Sequence, residues 1–233
     1  MGATLQRLVE SQEQVATRQL VSSLERQAVL EEMLEAIKPP LRNGTTQLHF
    51  LLATPFRYPP LRHGSRFGSR HEPSLFYGSR ETRTVLAEAA YYRFVFWYGM
   101  VTPPATTLDT QHTLFEARYH TPQGLRLQEP PFNSHTAQLT HPADYRACQA
   151  LGGLMRSTGI EAFEFISARD PQRGINVALF SPRALAATAP TAQAPWLCEL
   201  DAQHVRFFSA HGKCLYDFPL ELFLVAGKLP TPA

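Results

Sequence analysis

Residues 161–180 constrain the fold more than any other part of the chain. Two apolar runs, EAFEFI and INVALF, flank a polar stretch from Ser167 to Gly174 that contains Asp170-Pro171. Short apolar runs around an Asp-Pro and Gly turn predict a β-hairpin. A hairpin is not stable alone, so further strands and helices must cover it. The same hairpin brings Ser167 and Asn176 together near its open loop, which gives that end of the sheet a polar character.

The remaining chain supplies both kinds of partner. Residues 79–98 lack proline and interior glycine and read as a helix, with Ser79 as its cap and Glu81 in its first turn. Val85, Ala89, Tyr92 and Phe96 share one face of it, and Glu88 borders that face. The run from Tyr91 to Tyr98 (YYRFVFWY) is expected to be core. Leu75–Tyr77 and Thr113–Tyr119 read as strands, and residues 142–158 as a helix stopped by Gly159. Gln47–Ala53 alternates as a half-buried strand, and residues 54–75 form a loop rich in Pro, Gly, Arg and Ser. Residues 4–37 read as one long helix ended by Pro39-Pro40, residues 184–195 as a linker, and residues 204–208 and 220–225 as terminal strands.

Composition excludes several classes of function. At 44% hydrophobic and 18% charged residues the chain is globular, and a formal charge of +2 is too small to argue for nucleic acid. No direct nucleic-acid role and no membrane role is expected, because no stretch has the length and apolarity of a span or signal peptide. Three cysteines without metal-type spacing suit buried thiols in a reducing cytoplasm, and nine scattered histidines give no metal site.

The charge that matters is local. Seven arginines and no lysine lie between Arg57 and Arg93, and Arg66, Tyr77 and Glu88 follow one another at eleven-residue intervals. Guanidinium forks suit phosphate oxygens. An aromatic face and a carboxylate beside them suit a nucleotide sugar. Taken singly, each arginine also fits a solvated basic face.

The stretches FRYPP around Arg57, GSRFG around Arg66, LFYGSRETRTVLAE through Tyr77 to Glu88, and EFISARDPQRGINVALFSP around Ser167 and Asn176 resemble the RES-domain proteins, named for Arg, Glu and Ser. The resemblance covers roughly residues 50–185. It implies an α+β fold similar to the ADP-ribosyltransferase toxins: a split mixed β-sheet around an NAD cleft, with flanking helices. Residues 1–43 would then be an N-terminal helical extension and residues 44–233 the catalytic domain. The resemblance further implies a toxin of a bacterial toxin–antitoxin pair that consumes NAD as substrate, with no separate cofactor, by phosphorolysis or hydrolysis of the nicotinamide–ribose bond. Its partners would be NAD, inorganic phosphate and an Xre-type helix-turn-helix antitoxin, with a homodimer left open.

Carried onto this chain, Arg57 and Arg66 would contact phosphates and Tyr77 would stack near the nicotinamide-side ribose. Glu88 would serve that ribose in the transition state, Ser167 would bind the nicotinamide end, and Asn176 would support it. The catalytic set is thus Glu88, Arg57 and Ser167. The chain departs from the family pattern at Phe67-Gly68, where Trp-Asn is frequent, and at residues 170–174, which replace a glycine-rich turn. Two other readings stay open: transfer of ADP-ribose to a protein, and a non-enzymatic interaction module built on the N-terminal helix.

Overall fold

The computed structural model describes residues 1–11, 23–209 and 211–231. In chain order its main elements are β1 (Gly2–Glu10), α1 (Leu24–Ile37), α2 (Phe50–Arg57), β2 (Phe76–Ser79), α3 (Thr82–Tyr98) and β3 (Leu108–His120). They are followed by β4 (Gly124–Arg126), α4 (Thr136–Leu139), α5 (Arg146–Ser157), β5 (Ala162–Ile166), β6 (Ile175–Leu179), β7 (Ala192–Leu200), β8 (His204–Ser209) and β9 (Cys214–Pro219). The strands form one sheet in the order β4-β5-β6-β2-β1-β3-β7-β8-β9. Only β4 and β5 pair in parallel; the other pairs are antiparallel. The architecture is α+β with a mixed sheet.

The hairpin forms as its sequence predicts, with Ile166 opposite Ile175 and Ala162 opposite Leu179. Alternation sorts its side chains. Phe163, Phe165 and Ala178 pack under α5 with Phe67 and Met155, whereas Ala162, Val177 and Leu179 join Leu5, Phe76 and Phe115 on the opposite face against α2. A third cluster, under α3, holds Tyr91, Phe94 and Trp97 against Val205, Phe207 and Phe218. Burying each such aromatic ring contributes about 1.5–3 kcal/mol, so α3 is fixed firmly to its half of the sheet.

Several sequence expectations are corrected. The reading of residues 4–37 as one helix fails at its start, because residues 2–10 form a strand inside the sheet, paired along their whole length with β3. Only Leu5 of this strand is fully buried, and polar Thr4, Gln6, Arg7 and Glu10 leave it without the apolar alternation that would reveal it. Residues 12–22 of that reading lie outside the described residues, and Leu24–Ile37 is helical. Gln47–Ala53 enters a helix rather than a strand: Leu52 and Phe56 are buried at helical spacing, Phe50 is exposed, and the His49 side chain accepts from Leu51 N–H at the helix start. Short apolar runs satisfy both periods, so alternation alone misleads there.

Ser79 is not a cap. It ends β2, and Glu81 takes the N-cap position without a side-chain bond. The end of the expected linker, from Ala192, is strand β7; residues 220–223 form a 3₁₀ turn, and β9 precedes them.

The sheet is continuous everywhere except at its middle. Between β1 and β2 a single pair, Gln6 with Ser79, joins the two halves. Beyond it the strands part, and the Arg7 side chain reaches across to donate from Nη1 to the Tyr77 carbonyl at 2.6 Å. The functional cleft opens at this gap.

Candidate active site

A cavity of about 1320 Å³ occupies the gap. One wall is the face of α3 carrying Val85, Glu88, Ala89, Tyr92, Arg93 and Phe96. This is the face the sequence marks as apolar, but Tyr92 and Phe96 are about half exposed, while Tyr91, Phe94 and Trp97 point into the core. The opposite wall comes from α2 and the proline-rich segment after it, and β1, Tyr77 and Asn176 complete the lining. The size is ample for a dinucleotide rather than a small metabolite.

Glu88 is the best-defined group in the cleft. Its Oε1 accepts from Ser167 Oγ and from Asn176 Nδ2, both at 2.6 Å. Each donor is itself held. Ser167 Oγ accepts from the backbone N–H groups of Arg169 and Asp170 at 3.1 and 3.0 Å. Asn176 Oδ1 accepts from Ser79 Oγ at 2.6 Å. Bonds of this length to a carboxylate are charge-assisted. Oε1 is therefore committed to the protein, and Oε2 is the oxygen left to meet a ligand. Ser167 is fully engaged, buried, and not part of the cavity wall, so its hydroxyl holds Glu88 and does not face the cavity.

The loop beyond Ser167 is built to hold that geometry. Asp170, buried, accepts from Thr84 Oγ1 at 2.8 Å, which ties the hairpin turn to the first turn of α3. Gly174 is required at the crossing point, since a Cβ there would lie 1.9 Å from Thr84 Oγ1. The departure from a glycine-rich turn thus exchanges loop freedom for a clamp between the two elements that carry Ser167 and Glu88.

Tyr77 lines the cavity. Its hydroxyl pairs with Ser65 Oγ at 2.9 Å and accepts from Phe67 N–H at 3.1 Å, and burial pushes its pKa up to about 12. The phenol stays neutral and leaves the ring as its contribution to the cleft. Arg66 also lines the cavity, where it stacks 4.4 Å from the Tyr145 ring centre and donates from Nη1 to the His141 carbonyl at 2.8 Å.

Arg57 is turned away. Its Nε donates to the Pro39 carbonyl and its Nη1 to Glu35 Oε1 at 2.8 Å, so it joins α2 to α1 outside the cavity wall. Of two arginines not singled out by sequence, Arg7 lines the cavity and Arg169 does not. Arg7 lines the gap itself, with Nε buried and without a hydrogen-bond partner, and burial holds its pKa down to about 10. Arg169, also buried, lies 3.5 Å from the Tyr91 ring centre and donates to Tyr145 Oη at 3.1 Å.

Among the described residues no carboxylate pairs with Arg7, Arg66 or Arg169. Buried cations without counter-ions are costly and point to an anion supplied from outside.

Residues 40–207 match the family model described as RES domain. The chain belongs to the RES-domain family. The family is associated with NAD-acting enzymes and a toxin-like role. A comparison with curated proteins finds no match. Arg7 precedes the matched segment, so the chain places an element outside the family model at the centre of its cleft. Among the described residues no helix is long and apolar enough to cross a membrane.

Proposed function

We propose that this RES-domain protein is an NAD-consuming enzyme that cleaves the nicotinamide–ribose bond, acting as a toxin through loss of NAD. The observation that carries the reading is Glu88: a carboxylate with one oxygen locked by two 2.6 Å bonds and the other left for a ligand, in a cleft where, among the described residues, no carboxylate pairs with Arg7 or Arg66. Along the cavity wall Arg7, Arg66 and Arg93 outnumber Glu10 and Glu88, an excess of positive charge that suits the anionic bridge of a dinucleotide.

Chemistry follows from that arrangement. As the bond from ribose C1′ to the nicotinamide nitrogen breaks, its electron pair leaves with the ring, which departs neutral and needs no general acid. Positive charge develops on C1′ and the ring oxygen of the ribose. Glu88 Oε2, pre-aimed by the fixing of Oε1, stabilises that charge where it appears. An oxygen of water or inorganic phosphate then bonds to C1′, and water loses its proton to solvent. Arg7 and Arg66 hold the phosphates on either side of the reacting sugar, and Tyr77 presents its ring to it.

Purified protein incubated with NAD, with and without phosphate, should release nicotinamide, and mass spectrometry should show ADP-ribose or its 1-phosphate. Glu88→Gln keeps the side-chain shape but removes the charge, and kcat should fall about 10²–10³-fold. Intact NAD under both conditions would overturn the proposal, and a fully active Glu88→Gln protein would remove Glu88 from it.

A further inference from the structure

The cleft does not end at the reacting ribose. Its lining continues along β1 from Arg7 to Glu10 and along α3 from Glu88 to Arg93 and Phe96. These two elements run together. Glu88 touches Asn176, Asn176 touches Ser79, and Ser79 pairs with Gln6 at one end; Glu10 and Arg93 meet at the other. Four residues of strand, from Gln6 to Glu10, span about 13 Å. Five residues of helix span about 7.5 Å. The Glu10–Arg93 pair is therefore displaced from Glu88 by the reach of a pyrophosphate bridge.

That far end has the chemistry of a nucleoside site. Arg93 Nη2 lies 2.8 Å from Glu10 Oε2 and 2.7 Å from His112 Nε2, and it is mostly buried. His112 is buried, and desolvation with Arg93 beside it brings its pKa down to about 4. The imidazole is neutral and accepts from Arg93, and among the described residues Glu10 is the guanidinium's only ionic partner. Glu10 is well exposed at the mouth, with its second oxygen available to a ligand. Phe96 and Tyr92 expose their rings on the same wall. Exposed aromatic faces in a cleft suit a base, and a carboxylate at the mouth suits a ribose diol.

We infer that the Glu10–Arg93 pair binds the adenosine ribose and selects NAD against its 2′-phosphorylated form. The inference rests on the proposed NAD reading and adds to it the identity of the second sugar site. Glu10 accepts hydrogen bonds from the 2′- and 3′-hydroxyls. A 2′-phosphate instead meets a carboxylate of its own sign, while the guanidinium of Arg93 beside it is already occupied by Glu10. Removing the charge at position 10 reverses both effects, because Arg93 is then freed for the phosphate.

The test is the ratio of kcat/KM for NAD to that for NADP in the intact protein and in Glu10→Gln. The parent should favour NAD by about tenfold or more, and the variant should lose about tenfold of that ratio. Calorimetric titration of both proteins with ADP-ribose and 2′-phospho-ADP-ribose, which carry no bond to cleave, measures the same preference without turnover. A matching shift in binding with no NAD cleavage would sink the catalytic reading and leave the sugar site standing. A ratio within about twofold of the parent's in both measurements would overturn the inference.

Discussion

Arg7 offers a test in which stability and function should move in opposite directions. Replacing it by Met removes the charge and keeps an unbranched side chain of similar reach, so the packing beside Phe76 survives. The guanidinium is disfavoured by its surroundings: burial alone brings its pKa to about 10, which corresponds to roughly 3 kcal/mol against the charged form. The sign holds throughout the working range, because the penalty applies at every pH below that value. Against it stand the bond to the Tyr77 carbonyl and the contact with the Phe76 ring, together worth about 1.5–2.5 kcal/mol. Arg7→Met should therefore be as stable as the parent or up to about 1.5 kcal/mol more stable, a rise in Tm of up to about 6 °C.

Function should respond the other way. Loss of one charge-assisted phosphate contact, worth about 2–3 kcal/mol, should lower kcat/KM for NAD about 30–150-fold. Pyrophosphate serves as a probe in thermal unfolding, since it should raise the Tm of the parent and leave the variant unmoved. A variant destabilised by more than about 1 kcal/mol would show that Arg7 is a structural pin across the gap. A variant still stabilised by pyrophosphate would show that the anion site lies elsewhere. Either result refutes the reasoning from the unpaired guanidinium.

Three further outcomes are expected. Ser167→Ala removes one of the two donors to Glu88 and strands two buried N–H groups, so it should cost about 2–4 kcal/mol in denaturant unfolding and lower kcat more than it raises KM. Gly174→Ala forces a methyl against Thr84 and should destabilise by about 1–3 kcal/mol, with partial recovery in the double variant carrying Thr84→Ala, as read from a double-mutant cycle. His112 has a folded pKa depressed to about 4 against an ordinary value near 6.5, so its neutral form is favoured in the folded state. Its contribution is present above about pH 6.5 and is lost as pH falls toward 4, amounting to roughly 3 kcal/mol. Unfolding curves of the parent and His112→Gln between pH 7 and 4.5 should therefore converge as pH falls, and parallel curves would dismiss the effect.

The parts of this site that were legible in the sequence are those whose side chains meet through local structure. Ser167 and Asn176 flank one hairpin, and Glu88 lies on one face of a helix; periodicity and turn chemistry placed all three before their contacts were known. Val85, Ala89, Tyr92 and Phe96 were grouped correctly on one face, but an apolar stripe reports a surface that avoids water, and a ligand cleft satisfies that as well as a core does. The α+β class was legible for the same local reasons. Helix α2 was not, since an alternating run can also lead into a helix that places Leu52 and Phe56 four apart, and only the tertiary partner decides. Arg57 and Arg7 show the same limit for charge. Sequence gives an arginine's position along the chain, while its counter-ion decides whether it is available: Glu35 occupies Arg57, and no carboxylate among the described residues occupies Arg7.

The absence of that counter-ion follows from how the sheet is divided. Had β1 and β2 continued to pair past Gln6 and Ser79, ladder bonds would have closed the gap and excluded any ligand from the middle of the sheet. Instead one side-chain bond, from Arg7 to the Tyr77 carbonyl, replaces the next rungs. A backbone rung uses both of its polar groups, whereas an arginine that donates once still has the rest of its fork to offer. The substitution opens the cleft and charges it at the same point, which explains why the residue that spans the two halves of the sheet also faces the ligand. It further explains why β1, read from its sequence as the start of a peripheral helix, lies at the centre of the site. Its flanks are read by two different walls: Arg7 by the strand it bridges, and Glu10 by the helix that carries Glu88. A strand in that position can measure a ligand from its reacting sugar to its far one, and the Glu10→Gln experiment tests the far end of that measurement.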